Sequence, residues 1–150
     1  MTVADAYLAA AALLVDPHGR VLLFLRDDKP AIPFPGCWDM IGGRVEPGEP
    51  VAAAARREVL EECGYAAGDL LPYGVAAMEN GYGGAPYELH VFYAPIDVPF
   101  VELRLSPDEG QALRFVEPEE LDALPLAGNG RIVRDFFASP QYRELTQRGR

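Results

Sequence analysis

Residues 42–65 read GGRVEPGEPVAAAARREVLEECGY, and this segment carries the clearest structural signals of the chain. The pair Gly42 and Gly43 is followed by Glu46-Pro47-Gly48-Glu49, whose residue types favour a turn. Pro50 suits the first position of a helix, the alanines after it are strong helix formers, and Gly64 suits a left-handed C-terminal cap. The spacing therefore predicts a helix over residues 50–63.

Two faces of this predicted helix have different chemistry. Three carboxylates at i, i+3 and i+4 share one face, namely Glu58, Glu61 and Glu62. Small and apolar side chains form a second, narrow stripe suited to packing on a sheet, namely Ala52, Ala55, Val59 and Cys63. We expect the acidic face to point away from this stripe, toward solvent or a cleft. The alternative interpretation is that the three carboxylates lie on a helix face that is fully exposed to solvent.

Apolar segments elsewhere in the chain predict several strands. Residues 6–16 and 21–26 flank an Asp-Pro-His-Gly turn and predict a hairpin of buried strands. Three prolines within residues 27–36 exclude a continuous helix or central strand there. Further strands are predicted at 71–78, 87–96 and 112–116, and helices near 118–123 and 130–138. This order predicts a mixed α/β or α+β domain.

The chain length and composition predict one globular domain. The 150 residues are 49% apolar and 24% charged, as in an average globular domain, so we expect a single domain over 1–150 with a frayed tail at 146–150. The apolar runs are too short to cross a bilayer, and the N-terminus lacks the basic start of a signal peptide. We therefore expect a cytoplasmic protein without membrane contact, with Cys37 and Cys63 as free thiols.

The net charge argues against a polyanionic partner. Thirteen basic and 23 acidic side chains give a formal charge of −10, which repels phosphodiester backbones. We therefore do not expect polymeric nucleic acid to bind.

The spacing of the fixed residues in this stretch resembles that of one known family. Reading from Gly43 to Tyr65, the sequence matches every position of the Nudix box, G-x5-E-x7-R-E-U-x-E-E-x-G-U with U apolar or aromatic; the fixed residues are Gly43, Glu49, Arg57, Glu58, Glu61, Glu62 and Gly64. Met40-Ile41 precedes the glycine pair where many relatives have proline. The chain thus resembles the Nudix hydrolases, in particular the MutT-like members.

This resemblance implies a fold and a reaction. The fold is expected to be an α/β/α sandwich around a mixed β-sheet. The expected activity is metal-dependent pyrophosphohydrolysis of a nucleoside diphosphate linked to another group, with a nucleoside triphosphate giving monophosphate and pyrophosphate as the first choice. A nucleoside diphosphate sugar, ADP-ribose or a non-catalytic regulatory module that binds nucleotides remain alternatives. The expected partner is a small nucleotide, and a homodimer is left open.

The resemblance also implies roles for residues of the box. Glu58, Glu61 and Glu62 are expected to be catalytic and to bind a divalent cation, with the backbone of Gly42 and Gly43 completing the site. Because these ligands are all oxygen atoms, Mg²⁺ or Mn²⁺ is expected. Glu49 and Arg57 have the family's spacing for an ion pair that orients the glutamates.

Several residues outside the box are candidates for the same site. Arg26 and Lys29 could neutralise phosphate charge. Trp38 is a candidate to stack on a base, as are Phe34, Tyr82 and Tyr87. A further catalytic carboxylate is expected from the loop 106–110, where we choose Glu109 over the rival acids Glu79, Glu88 and Asp108. We expect this loop to be flexible and to carry Glu109 over the cluster once substrate is bound.

Overall fold

The computed structural model describes residues 6–148, with Arg148 as backbone only. Six strands and three α-helices follow one another within these residues: β1 (Tyr7–Val15), β2 (Val21–Leu25), β3 (Trp38–Arg44), α1 (Val51–Cys63), β4 (Leu71–Met78), β5 (Tyr87–Pro95), β6 (Ala112–Val116), α2 (Gly130–Phe137) and α3 (Pro140–Arg148). Short 3₁₀ helices cover Tyr82–Gly84, Phe100–Glu102 and Pro118–Ala123.

All six strands belong to one mixed sheet, with the order β4-β5-β1-β3-β2-β6. The pairing of β1 with β5 is parallel, and the other ladders are antiparallel. The predicted hairpin of residues 6–16 and 21–26 is only partly right. The two strands pair at Val15 and Val21 beside the turn, and then β3 lies between them and pairs with both.

Helices cover both faces of the sheet, which confirms the expected α/β/α arrangement. Alternate residues of β1 face opposite clusters: Ala10, Ala12 and Leu14 pack with α1, whereas Ala9, Ala11 and Leu13 pack with α2 and α3. A strand buried on both faces explains the unbroken apolar run at this position in the sequence. The described residues contain no helix long and apolar enough to span a membrane.

Helix α1 begins and ends close to the predicted residues. Pro50 is the N-cap residue with extended backbone angles, one position before the predicted role. Gly64 has φ of 72°, and its N–H donates to the Leu60 carbonyl at 3.0 Å, so the left-handed cap is confirmed.

The remaining segments add detail to the sequence predictions. Gly42 and Gly43 continue strand β3, and the turn falls at 46–49, where the residue types predict it. The segment 118–123 is a 3₁₀ helix. Residues 146–148 continue α3, and Tyr142 of this helix donates to the Gly19 carbonyl at 2.6 Å. The frayed tail at 146–150 stays a prediction. Residues 149 and 150 lie outside the described residues.

Candidate functional site

Three carboxylates converge beside the glycine pair of β3. Glu58 and Glu62 lie on α1, Glu109 lies on the loop before β6, and one oxygen from each lies within 4.8 Å of the others. Glu62 is 3% exposed and Glu58 8%, so neither belongs to a solvated helix face. The alternative of a solvated helix face therefore does not hold for Glu58 and Glu62, which lie on the side of α1 that faces β3.

Glu61 lies outside this group. Its side chain is 56% exposed, and its carboxylate accepts a hydrogen bond from Arg57 Nη1 at 3.2 Å. Of the three glutamates that were predicted to act together, the structure brings two together and replaces the third by Glu109.

The two glycines allow the close approach of strand and helix. The Gly42 N–H donates to Glu62 Oε2 at 2.8 Å. A Cβ atom on Gly43 would lie 2.5 Å from Glu58 Oε1, and one on Gly42 would collide with the backbone of Ala10 and Ala11. A side chain at Gly43 would therefore fill the space that the Glu58 carboxylate occupies.

Arg57 fixes the loop 44–49 to helix α1. Its guanidinium donates to both oxygens of Glu49 at 2.9 and 3.0 Å, to Glu58 Oε1 at 2.9 Å and to the Arg44 carbonyl at 3.0 Å. The pair of Arg57 and Glu49 is thus present with the expected geometry. The hydrogen bonds from Arg57 hold the pKa of Glu49 below its ordinary value, and those carboxylates raise the pKa of Arg57.

The cluster carries negative charge that is only partly balanced. Burial raises the pKa of Glu62 well above its ordinary value, the charges of Glu58 and Glu109 add to the rise, and the Gly42 N–H opposes it. Burial also raises the pKa of Glu58, against the effect of Arg57. Crowded oxygen ligands with unfavourable charge are the donor set that a hard divalent cation would neutralise, so these residues fit Mg²⁺ or Mn²⁺.

A pocket adjoins the cluster through the same glycines. Gly42 and Gly43 line it together with Arg44, and Tyr7 and Tyr87 supply aromatic rings. These two rings are stacked with centroids 5.0 Å apart, and the Arg44 guanidinium carbon lies 4.1 Å from the Tyr7 centroid. Burial raises the pKa of Tyr87 to about 12, so its hydroxyl keeps its proton at neutral pH.

Arg26 also lines this pocket, but its guanidinium is already engaged. It donates to the Pro33 carbonyl at 2.7 Å, to Asp39 Oδ2 at 3.1 Å and to the Tyr82 hydroxyl at 3.3 Å. Its positive charge opposes the rise that burial causes in the pKa of Asp39. Arg26 thus ties the proline-rich loop to the sheet, and the phosphate contact predicted for it is not supported by these contacts.

The other two predicted substrate residues, Lys29 and Trp38, do not line this pocket. Lys29 is 66% exposed and pairs with Asp27 at 3.7 Å. Trp38 packs in the core beneath α2 and pairs with Leu126, and it is absent from the lining of the pocket. Tyr82 and Tyr87, by contrast, do line it.

Sequence reasoning missed four polar or aromatic residues of the pocket, namely Tyr7, Asp39, Arg44 and Asn129. Arg44 follows the glycine pair directly, which is the signal that could have indicated it. Asp39 and Asn129 are 90 positions apart and carry no motif, so only the fold brings them together.

Two known proteins are similar in sequence to this chain. A protein of Bacillus subtilis (strain 168), provisionally named an 8-oxo-dGTP diphosphatase, is 31% identical over 127 residues, which are 85% of this chain and 77% of that protein. The nucleoside triphosphatase NudI of Salmonella agona (strain SL483) is 33% identical over 72% of this chain and 80% of its own.

A solved structure and a family model extend the likeness to the fold. The MutT NUDIX hydrolase from Burkholderia pseudomallei superposes with a TM-score of 0.71 at 30% identity, covering 88% of this chain and 97% of that one. The model of the NUDIX domain matches residues 6–136, which includes every strand, the carboxylate cluster and the pocket. The chain belongs to the Nudix hydrolase family.

Proposed function

We propose that this protein hydrolyses nucleoside triphosphates to a nucleoside monophosphate and pyrophosphate, in a reaction that requires a divalent cation. The observation that carries the proposal is the convergence of Glu58, Glu62 and Glu109 beside Gly42 and Gly43, which also line the adjoining pocket. A phosphate chain at the carboxylates and a nucleoside in the pocket would occupy two adjacent parts of one site.

Glu58, Glu62 and Glu109 would hold Mg²⁺ or Mn²⁺. When bound, such a cation withdraws charge from the phosphoryl oxygens and lowers the pKa of the attacking water. Glu62 is oriented by the Gly42 N–H, and Glu58 is oriented by Arg57. Each of these bonds uses one oxygen of the carboxylate and leaves the other available to a cation.

Glu109 is the exposed member of the group and is suited to exchange protons with solvent. In the proposed step, the water oxygen forms a bond to phosphorus while the phosphoanhydride P–O bond breaks. The proton of the water passes to Glu109 and then to solvent, and the bond electrons leave with the departing phosphate group.

The named relatives favour this choice of substrate. One is provisionally named a diphosphatase of an oxidised deoxyguanosine triphosphate and another a nucleoside triphosphatase. A cytoplasmic location stays a prediction from the sequence, and a homodimeric state stays open.

The test is a panel of nucleotides assayed with Mg²⁺ and with excess chelator. We expect monophosphate and pyrophosphate from dGTP, 8-oxo-dGTP or another triphosphate, and no turnover with chelator. Glu62→Gln should lower kcat by roughly 10² to 10⁴-fold. Glu119→Gln is the matched control, because Glu119 is an exposed acid in the 3₁₀ helix 118–123.

Other outcomes of the panel contradict the proposal in distinct ways. Two monophosphate products from ADP-ribose or a nucleoside diphosphate sugar, with triphosphates unreacted, would replace the substrate class. Tight binding of nucleotides without any turnover would indicate a regulatory module. Hydrolysis in ¹⁸O-labelled water identifies which phosphorus is attacked.

A further inference from the structure

Glu109 lies close to two other carboxylates without any contact of its own side chain that would hold it there. It is exposed, and among the residues that the structure describes none forms a hydrogen bond or ion pair with its carboxylate. One of its oxygens lies within 4.8 Å of oxygens of Glu58 and Glu62. Burial is the largest cause of the raised pKa of these two groups, and the charge of Glu109 adds to it. Because like charges repel one another, the backbone of the loop must hold Glu109 in this position.

Two anchors enclose Glu109 along the chain. Before it, the Ser106 N–H donates to the Glu62 carbonyl at 3.1 Å. After it, Gln111 donates to the Leu25 carbonyl through its backbone N–H at 2.8 Å, and it makes a second bond through its side chain. The segment between these anchors is short, so a displacement of either anchor moves the Glu109 carboxylate.

The Gln111 side chain extends the ladder between β2 and β6 by one hydrogen bond. The last backbone pair of this ladder joins Leu25 and Ala112. Beyond this pair, Gln111 Nε2 donates to the Arg26 carbonyl at 2.8 Å. A side chain thus supplies a bond between the two segments at the point where their backbone pairing ends.

The acceptor of this bond is fixed from several directions. The Arg26 N–H donates to the Cys37 carbonyl at 2.9 Å. The Arg26 guanidinium donates to the Pro33 carbonyl at 2.7 Å and to Asp39 Oδ2 at 3.1 Å. Because the backbone and the side chain of Arg26 are both engaged, its carbonyl is a rigid point to which Gln111 attaches the loop.

Gly110 is the single residue between Glu109 and Gln111. Its φ of 83° lies in the left-handed region that favours glycine. A Cβ atom at Gly110 would lie 3.1 Å from Phe24 Cδ2 and 3.2 Å from Leu105 Cδ1, so the backbone here passes close to its neighbours. Because a residue has few soft dihedral angles, the position of Gln111 restricts where Glu109 can lie.

We propose that Gln111 is a positioning residue for Glu109. The hydrogen bond from its side chain to the Arg26 carbonyl holds the loop so that the Glu109 carboxylate stays beside the two carboxylates of α1 against their repulsion. The inference rests on the proposed function, because it takes these three groups to bind a divalent cation together. Closure of the loop on substrate is then confined to residues 107–110, between the two anchors.

The experiment measures the Kd of Mn²⁺ by calorimetry on the protein without nucleotide. Gln111→Met keeps the length of the side chain but cannot donate, and Gln111→Asn keeps the amide but is one carbon atom shorter. Each should raise the Kd about three- to tenfold, as expected for the loss of one hydrogen bond that helps to place a ligand. In chelator, hydrogen exchange of residues 104–111 should be faster in both variants than in the parent.

A double-mutant cycle tests whether Gln111 acts through Glu109. Glu109→Gln removes the carboxylate that Gln111 is proposed to place, so adding Gln111→Met in that background should change the Kd of Mn²⁺ by less than about twofold. For any nucleotide that the parent hydrolyses, Gln111→Met should lower kcat about three- to tenfold, and this effect should also disappear in Glu109→Gln.

Gln147→Met is the matched control for the substitution. Gln147 is an exposed glutamine of α3, and this helix packs on the face of the sheet opposite α1. The same change there should leave the Kd of Mn²⁺ and the exchange of residues 104–111 as they are in the parent. Circular dichroism and Tm report whether each variant folds.

The proposal is overturned if both Gln111 variants keep the parent's Kd for Mn²⁺, or if the fold-change is the same with and without the Glu109 carboxylate. A lower Tm with an unchanged Kd would assign the bond to stability alone. Mn²⁺ binding that depends on Gln111 through Glu109, in a protein that hydrolyses no nucleotide, would contradict the proposed function alone. Metal-dependent hydrolysis that ignores Gln111 would contradict this inference alone, and a parent that binds no Mn²⁺ would contradict both.

Discussion

At the scale of single residues, Arg57 is the side chain through which the box holds its shape. Its planar group binds both oxygens of Glu49 and also reaches Glu58 and the Arg44 carbonyl. A lysine at this position keeps the charge but cannot bind two oxygens of one carboxylate in a fork. The forked geometry of the Arg57 guanidinium therefore orients the cluster, and its positive charge contributes less to this role.

Replacing Arg57 should impair both activity and stability. We expect Arg57→Ala to lower kcat by roughly 10- to 100-fold, the usual range for a residue that orients a metal ligand, and to lower Tm. Arg57→Lys should fall between the parent and Arg57→Ala. A double-mutant cycle with Glu49→Gln measures the coupling of the pair, and additive effects would refute that pair.

Glu62 should make the metal-free protein less stable as the pH rises. Its pKa is raised in the folded state by burial and by the charges of Glu58 and Glu109, so the folded protein holds this proton more tightly than the unfolded chain. The stabilisation is complete below the ordinary glutamate pKa of 4.5 and is lost as the pH rises through the folded-state value. Glutamine has no such proton to lose and can still accept from the Gly42 N–H.

Glu62→Gln should therefore have a higher Tm than the parent in chelator at about pH 8, and the difference should vanish near about pH 4. Thermal denaturation across this range measures it. Parallel curves for the two proteins would mean that Glu62 carries no unfavourable charge in the folded state.

At the scale of elements, the end of α1 positions the loop that carries Glu109. The Arg104 N–H donates to the Cys63 carbonyl at 2.9 Å, and the Ser106 N–H donates to the Glu62 carbonyl at 3.1 Å. These carbonyls would otherwise lack partners at the helix end. These hydrogen bonds place the loop so that Glu109 lies beside Glu58 and Glu62, and closure of the loop on substrate binding stays a prediction.

Glu109→Gln should lower kcat by at least about tenfold with little change in Tm, because the side chain is exposed and is the proposed proton acceptor. Asp108→Asn is the matched control, since Asp108 is the neighbouring exposed acid and lies outside the carboxylate group. Steady-state kinetics with a pH profile for both variants provide the measurement. If Glu109→Gln keeps the parent kcat and profile, the proton acceptor belongs to α1.

Local signals in the sequence predicted the bounds of helices and strands better than they predicted which strands pair with one another. Helix α1 was predicted within one residue because Pro50 and Gly64 act on the adjoining backbone. The hairpin was only partly right, because the insertion of β3 between β1 and β2 depends on pairing across distant residues. The Nudix box is also a local signal, and it indicated Glu58 and Glu62. Asp39 and Asn129 are distant in the sequence, so their proximity could not be predicted before the fold was known.

At the scale of the whole molecule, the formal charge of −10 and the crowded carboxylates should make stability depend on divalent cations. A ligand present at 100 times its Kd adds about 2.7 kcal/mol to the folded state. For a chain of this size, we expect Mg²⁺ to raise Tm by roughly 5 to 10 °C. Sodium chloride at equal ionic strength is the control for general screening.

This cation effect should depend on the cluster. Glu62→Gln should shift the rise in Tm to higher Mg²⁺ concentrations, and Glu119→Gln should leave it in place. An equal rise in the two variants would assign the effect to diffuse binding of cations over the acidic surface.

The parallel ladder between β1 and β5 also governs how the protein is made. Tyr7 pairs with Tyr87, so one side of the most buried strand has no partner until the ribosome has added some 80 further residues. Until then, the nascent chain presents an apolar strand with an open edge, which can pair with other chains. Premature termination between Tyr65 and β5 should thus yield a fragment that aggregates, even though it already contains the complete Nudix box. Expression of this protein should accordingly be sensitive to truncation well downstream of the Nudix box.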